Sequence, residues 1–329
     1  MQGQKIVILG TGGTIAGRSA QAGDNIGYTA AQVGVAELLE AIPGLEDGGP
    51  VVAEQVAQLD SKDMGFAEWA RLAARVAHHL ERDDVQGVVI THGTDTLEET
   101  AYFLQALILP VKPVVLTCAM RPASSLAPDG PQNVKDALAV VRHPGAGGVV
   151  MTCAGEVHSA VEVQKVHTYR LDAFSSGDAG PLAYVEEGAI RLLRNWPHRS
   201  ADLTAGVNVG LDLLGRGQDW PSVEIVTSHA GAGNELVRAL VANGVDGIVV
   251  AATGNGTVHE RLEAALLDAR RQGVSIMRAS RCANGRILPK SSQDELAIED
   301  SGGLNPVKAR ILLLLRLLGH RANVNAPPA

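Results

Sequence analysis

Short runs of apolar, β-branched residues separated by amphipathic stretches recur along most of this chain, and that alternation limits its fold more than any other feature. Residues 5–9, 51–58, 87–91, 114–118 and 148–153 read as strands without polar alternation. Strands of that kind are buried on both faces, which points to a parallel sheet covered by helices on each side. Between them Phe66, Trp69, Ala73, Val76 and Leu80 step by three and four residues and share one helical face. Residues 97–107 and 134–141 read as further helices. Residues 157–168 alternate with period two and predict a half-exposed hairpin strand.

The pattern is lost from about 195 to 221, a stretch holding Pro197, Gly215, Gly217 and Pro221. A second series then follows, with strands at 223–227, 247–251 and 275–279 and helices at 234–243 and 260–272. A last helix opens at Asn305-Pro306, an N-cap followed by proline at the first helical position, and is expected to run to Leu318 before Gly319. Residues 326–329 read as a frayed tail. The expected class is α/β. A larger N-terminal parallel-sheet α/β domain spans 1–195, a linker 196–221 and a smaller C-terminal α/β domain 222–329.

Composition removes several functions. Lys+Arg 28 against Asp+Glu 36 leaves a net charge of −8, and aromatic residues are only 3%. A nucleic-acid partner needs a basic stripe and stacking aromatics, so none is expected. The most apolar run, 311–318, contains Arg316 and falls well short of the ~20 residues that a membrane span requires. No basic segment followed by an apolar one precedes the first strand, and cytoplasmic residence is the expectation. Cys118, Cys153 and Cys282 form no CxxC pair, and Cys118 and Cys153 end apolar runs as buried hydrophobes do. The ten histidines show no metal-binding spacing, so no metal is expected. His78 and His79 fall on a polar helix face, and His92 is expected to pack at its strand end.

Ligands of open parallel sheets sit beyond the carboxyl ends of the strands. Three such ends carry polar chemistry. The first is LGTGGTIAG, residues 9–17. A dinucleotide fingerprint needs Gly or Ala where Ile15 stands, and a phosphate loop needs Lys-Ser/Thr where Arg18-Ser19 stands. A third reading gives the glycines to sharp turning, with the Thr11 and Thr14 hydroxyls facing the crevice. The second end runs from Thr91 through His92, Gly93, Thr94 and Asp95 to Thr96. Backbone N–H groups there are free to hold an anion. Equally, Asp95 or Thr96 caps the next helix, with Glu98 and Glu99 favouring its dipole. The third end begins at Ala119 and leads to Asp129-Gly-Pro-Gln-Asn133. Threonine is a poor nucleophile without a base nearby. Lys165 is either a solvated surface charge or, held beside Thr94 and Asp95, a group that takes a proton from threonine.

These segments together resemble the bacterial-type L-asparaginases, closest to the type II branch. ILGTGGTIAG and GVVITHGTDTLEETAYFL carry the resemblance, with Gly27-Tyr-Thr29, Asp60-Ser-Lys-Asp-Met64, AMRPASSLAPDGPQN, GDAGPL, Gly254-Asn-Gly256 and GLNPVKAR. It extends from residue 5 to about 318. The resemblance implies hydrolysis of the side-chain amide of L-asparagine to L-aspartate and ammonia, with no cofactor. Thr14 matches the nucleophile, and Tyr28 the tyrosine of a mobile loop that covers and activates it. Thr94, Lys165 and Asp95 match a second Thr–Lys–Asp triad. Ser61 matches the serine that holds the substrate α-carboxylate, Asp95 also faces the α-ammonium, and Ala119 joins the substrate-binding set. Asn255 and Glu295 match residues contributed across a dimer interface, and the implied assembly is a homotetramer of intimate dimers. Lys62 stands where type II members usually have Gln or Glu. Either it meets the substrate α-carboxylate, repels the α-ammonium and leaves glutaminase activity weak, or it points outwards and changes nothing. Two rivals are a P-loop-like nucleotide enzyme and a catalytically silent amino-acid sensor. Ammonia release from asparagine separates the amidohydrolase from both.

Overall fold

The structure, a computed structural model, describes residues 4–21, 23–45, 47–197, 220–288 and 298–324. Residues 198–219 of the expected linker and the 326–329 tail lie outside the described residues. The chain divides into two compact units, 1–200 and 201–329.

In the larger unit the order is β1 (Lys5–Gly12), β2 (Arg18–Ser19), β3 (Tyr28–Thr29), α1 (Val35–Glu40), β4 (Val51–Leu59), α2 (Phe66–Leu80), β5 (Val85–Thr91) and α3 (Leu97–Ile108). There follow β6 (Val114–Thr117), α4 (Gly130–Arg142), β7 (Val149–Cys153), β8 (Glu156–Ser159), β9 (Gln164–Lys165), β10 (Phe174–Ser175), β11 (Ala183–Glu186) and β12 (Ala189–Leu192). Among the described residues β4, β1, β5, β6 and β7 lie side by side in that order, all parallel. Beyond β7, strands β8, β11 and β12 extend the sheet antiparallel. The crossover from β1 leads to one side of it and the crossover from β5 to the other. A crevice opens where the strand order reverses, between the carboxyl ends of β1 and β5.

Helices cover both faces, as the uninterrupted apolar runs require. Val35 and Leu38 of α1 share a core with Val134, Ala137 and Leu138 of α4 against Ile6, Ile8, Val89 and Val115. Trp69 of α2 stacks on Phe103 of α3 with ring centroids 4.8 Å apart. Trp196, the first residue of the expected linker, is buried in the α1–α4 core.

Two expectations are corrected in this unit, and one is sharpened. Residues 157–168 are not one half-exposed strand. Strand β8 stops at Ser159, and Val157, His158 and Ser159 are buried because β8 lies between β7 and β11. The Ser159 hydroxyl accepts the Glu162 N–H at 3.2 Å and donates to Glu162 Oε2 at 2.9 Å, which turns the chain towards β9. On the polar face of α2, His78 is exposed and His79 is engaged by charged neighbours. The His79 side chain is half-buried, and its Nε2 lies 2.8 Å from Glu54 Oε2 on β4. Thr11 does not offer its hydroxyl to the crevice, since it donates to the Thr91 carbonyl at 2.9 Å and ties β1 to β5.

The smaller unit runs β13 (Val223–Thr227), α5 (Glu235–Ala242), β14 (Gly247–Ala252), α6 (Glu260–Arg271), β15 (Ser275–Ser280), β16 (Glu299–Asp300) and α7 (Pro306–Val324). Among the described residues its strands are parallel in the order β13-β14-β15-β16. Helix α7 continues through Gly319 to Val324 rather than ending at Leu318. A glycine inside a helix costs only about 1 kcal/mol relative to alanine and breaks nothing unless the backbone turns left-handed there. No helix among the described residues is long and apolar enough to cross a membrane.

Candidate active site

Three loops meet at the crevice, and glycines let them approach closely. Gly12, the last residue of β1, and Gly13 after it have φ of 101° and 82°, a region closed to most side chains. A Cβ built on Gly13 would overlap the Cα and N of Gly93, which follows β5. One built on Gly93 would lie 2.5 Å from Ser61 Oγ, in the loop after β4. The loops bearing Thr14 and Thr94 thus pack main chain on main chain, and the Ser61 side chain fills the space beside Gly93.

Thr14 is buried, and its hydroxyl lies 2.6 Å from Tyr28 Oη. Tyr28 comes from the short hairpin β2–β3, in which Ser19 pairs with Tyr28. Gly17 makes room for the ring, because a Cβ there would sit 2.8 Å from Tyr28 Cδ2. The loop after β6 supports the hairpin through Ala123 N–H to the Gly17 carbonyl at 3.0 Å and Ser19 N–H to Ser124 Oγ at 2.8 Å.

The second threonine has a different environment. Lys165 Nζ donates to Thr94 Oγ1 at 2.8 Å and to Asp95 Oδ1 at 2.6 Å. The lysine side chain is only 19% exposed, against 53% for Asp95, so the solvated-surface reading of Lys165 does not hold. Strand β9 carries it there, paired with β10 and anchored by buried Val163 and Phe174. Helix α3 has Thr96 at its N-cap with no side-chain cap bond. Instead the Thr96 hydroxyl donates to the Ser61 carbonyl at 2.7 Å, and the Asp95 N–H donates to Ser61 Oγ at 3.2 Å. Ser61 is buried.

Behind this pair, Ala119 is buried in the loop after β6. The Asp129 carboxylate shapes that loop by accepting the N–H groups of Met120 and Arg121 at 2.9 and 3.0 Å. Asn133 donates to the Cys118 carbonyl at 2.9 Å and accepts the Ala154 N–H at 3.0 Å, joining the ends of β6 and β7. The Cys118 thiol is pushed well above its ordinary range by its hydrogen bond with Cys153 and by burial, so it supplies no ready thiolate.

The structure therefore brings Thr14, Tyr28, Ser61, Thr94, Asp95, Ala119 and Lys165 to adjoining loops of one unit. Lys62 has its ammonium between Asp60 and Asp63, at 2.9 and 3.0 Å, and its side chain is 60% exposed. Those two carboxylates hold its pKa up at about 12. Asn255 lies in the smaller unit on an exposed turn, its side chain bonded to both backbone groups of Leu288. Glu295 lies outside the described residues. Gly93, Asp129 and Asn133 were legible at the polar strand ends, but the sequence reading passed over any role for them in the site. It also passed over Trp69 and Thr100, whose polar atoms point to the same turn.

Residues 5–198 match the family model described as Asparaginase, N-terminal, and residues 222–325 match that described as Glutaminase/Asparaginase C-terminal domain. L-asparaginase 2 of Escherichia coli is 38% identical over 316 residues, covering 95% of this chain and 88% of that protein. The glutaminase-asparaginase of Pseudomonas aeruginosa is 39% identical over 315 residues, covering 93% of this chain and 84% of that protein. Among solved structures, a probable cytoplasmic L-asparaginase from Campylobacter jejuni is similar with a TM-score of 0.86 at 36% identity, over 95% of each chain.

Proposed function

The chain belongs to the asparaginase family, and from that premise we propose that it hydrolyses the side-chain amide of L-asparagine to L-aspartate and ammonia through an acyl-enzyme on Thr14. The observation that carries the proposal is the pair of threonine hydroxyls at adjoining loops, each with its own partner. Thr14 Oγ attacks the amide carbon, and Tyr28 Oη is the group in reach of its proton. The C–N bond breaks, ammonia leaves with a proton, and water then cleaves the ester. The Thr94–Lys165–Asp95 unit moves the protons that ammonia takes up and the water gives up. Ser61 Oγ already accepts the Asp95 N–H, which leaves its own proton for the substrate α-carboxylate. The Asp95 carboxylate faces the α-ammonium.

The assembly we infer is a homotetramer of intimate dimers, in the cytoplasm, with Asn255 and Glu295 completing a partner's site. Light scattering should give four subunits. A fully active monomer would contradict this assembly.

Glutamine is one methylene longer than asparagine and must shift its head group to present its amide to Thr14. One methylene is commonly worth ~1–3 kcal/mol, or roughly 10–200-fold in kcat/KM, so asparagine should be preferred by at least about tenfold. Lys62 is held outwards by Asp60 and Asp63, and Lys62→Gln should therefore change the Asn:Gln ratio by less than about threefold. Steady-state ammonia release from both amides, in both proteins, checks the activity and the preference together. No ammonia from L-asparagine would overturn the function. A shift of about tenfold or more in the variant would give Lys62 the specificity role that its position in the sequence suggests.

A further inference from the structure

Three buried side chains hold the Gly93–Thr94 turn from behind, and no step above uses them. Trp69 on α2, Thr100 on α3 and His92 at the end of β5 are all withdrawn from solvent. An indole N–H only donates, and Trp69 Nε1 donates to Thr100 Oγ1 at 2.9 Å. Thr100 Oγ1 lies 3.0 Å from His92 Nε2, and His92 Nδ1 lies 2.7 Å from the Gly93 carbonyl oxygen. A carbonyl oxygen only accepts, so Nδ1 carries the ring proton in that bond. Nε2 of the neutral ring is then an acceptor, and the Thr100 hydroxyl must donate to it. Burial pushes His92 down to about 4, with the Gly93 carbonyl pulling weakly the other way, so the ring is neutral at pH 7. Each bond in the row has one allowed direction.

The row ends on a peptide whose other side matters. In a trans peptide the C=O and the next N–H point in opposite directions. With the Gly93 carbonyl turned to His92 in the core, the Thr94 N–H is aimed away from it. Among the described residues that N–H has no protein acceptor. An unoccupied backbone N–H beside two candidate threonines is the kind of donor that steadies charge developing on a carbonyl oxygen. We propose that the Trp69–Thr100–His92 row is a positioning device that fixes the Gly93–Thr94 peptide, so that the Thr94 N–H meets the developing oxyanion of the scissile amide. This rests on the amidohydrolase reading. His92 itself touches no reacting atom.

Two substitutions separate positioning from mere packing. His92→Asn keeps an N–H near the Nδ1 position, whereas His92→Gln moves it to the Nε2 end. His92→Gln should lower kcat for L-asparagine about 100-fold with KM within about threefold, the pattern of one misaimed oxyanion donor. His92→Asn should stay within about tenfold of the unmodified chain. Val88→Ala, a cavity in β5 away from the row, should lower Tm and leave kcat unchanged. The proposal is overturned by a His92→Gln kcat within about fivefold of the unmodified chain, or by equal losses in both His92 variants. Independently of turnover, nitrogen-15 NMR of histidine-labelled protein should show His92 neutral with its proton on Nδ1. A proton on Nε2 would reverse the row and overturn the proposal. An unmodified chain that shows the Nδ1 proton yet releases no ammonia would sink the amidohydrolase reading and leave the geometry of the row intact.

Discussion

Thr14→Ala should lower kcat for L-asparagine by at least about 10³-fold while aspartate binding stays within about threefold of the unmodified chain. The substitution removes one hydroxyl and little else. The loop that bears it is held by backbone bonds, from Gly13 N–H to the Leu59 carbonyl at 2.9 Å and from Gly17 N–H to the Thr14 carbonyl at 2.8 Å. Ser61 and Asp95, which would hold the substrate's α-groups, stand on other loops and keep their mutual bond. A loss confined to kcat is what removal of an interaction made only in the transition state produces. Thr14→Ser retains the nucleophilic oxygen and should retain most of the activity. Ammonia release and titration calorimetry with L-aspartate make the comparison. Activity of Thr14→Ala within about tenfold of the unmodified chain would end the assignment of the nucleophile.

Lys165→Met should cost a comparable amount, about 10³-fold in kcat, although it keeps an unbranched apolar stem. The ammonium is the common partner of Thr94 Oγ1 and Asp95 Oδ1, so its removal leaves a hydroxyl without its donor and a carboxylate without its countercharge. Groups that act as a unit do not lose activity additively. A Thr94→Val/Lys165→Met double variant should therefore be no worse than the poorer single variant by more than about threefold. Losses that multiply would show that the two residues work separately.

The parallel sheet was legible because its strands are continuous apolar runs, and burial on both faces leaves no other place for them. Segments outside that rule were misread. The β7–β8 turn places Ala154 and Gly155 at φ 51° and 78°, and the β11–β12 turn places Glu187 and Gly188 at 51° and 76°. Two-residue turns with both φ positive favour Asn-Gly or Asp-Gly, and neither pair announces itself in that way. The accidental alternation of 157–168 then suggested one strand where the chain makes two and a turn. In the site, Thr14 and Thr94 were legible as polar residues at strand ends. The pairing of Lys165 with Thr94 was not, because nothing local links β9 to the end of β5. It stood as one of two readings of Lys165, and only the resemblance to a family favoured it. The Trp69–Thr100–His92 row was hidden for a related reason. Each member has an ordinary apolar setting in its own helix or strand, and the polar atoms meet only when α2, α3 and β5 pack together.

The contact between Gly13 and Gly93 has a consequence for the sequences that this fold can accept. Residues that touch usually leave a trace over many generations, a larger side chain on one side answered by a smaller one on the other. At Gly13 the obstacle is the main chain of Gly93, so no exchange of side chains makes room there, whereas at Gly93 the nearest obstacle is the Ser61 side chain. Gly13, with its φ of 82°, has no compensating partner in Gly93, and a library that randomises it should return glycine. Contact maps inferred from correlated substitution will accordingly be silent at the centre of the catalytic crevice, where the two loops lie closest.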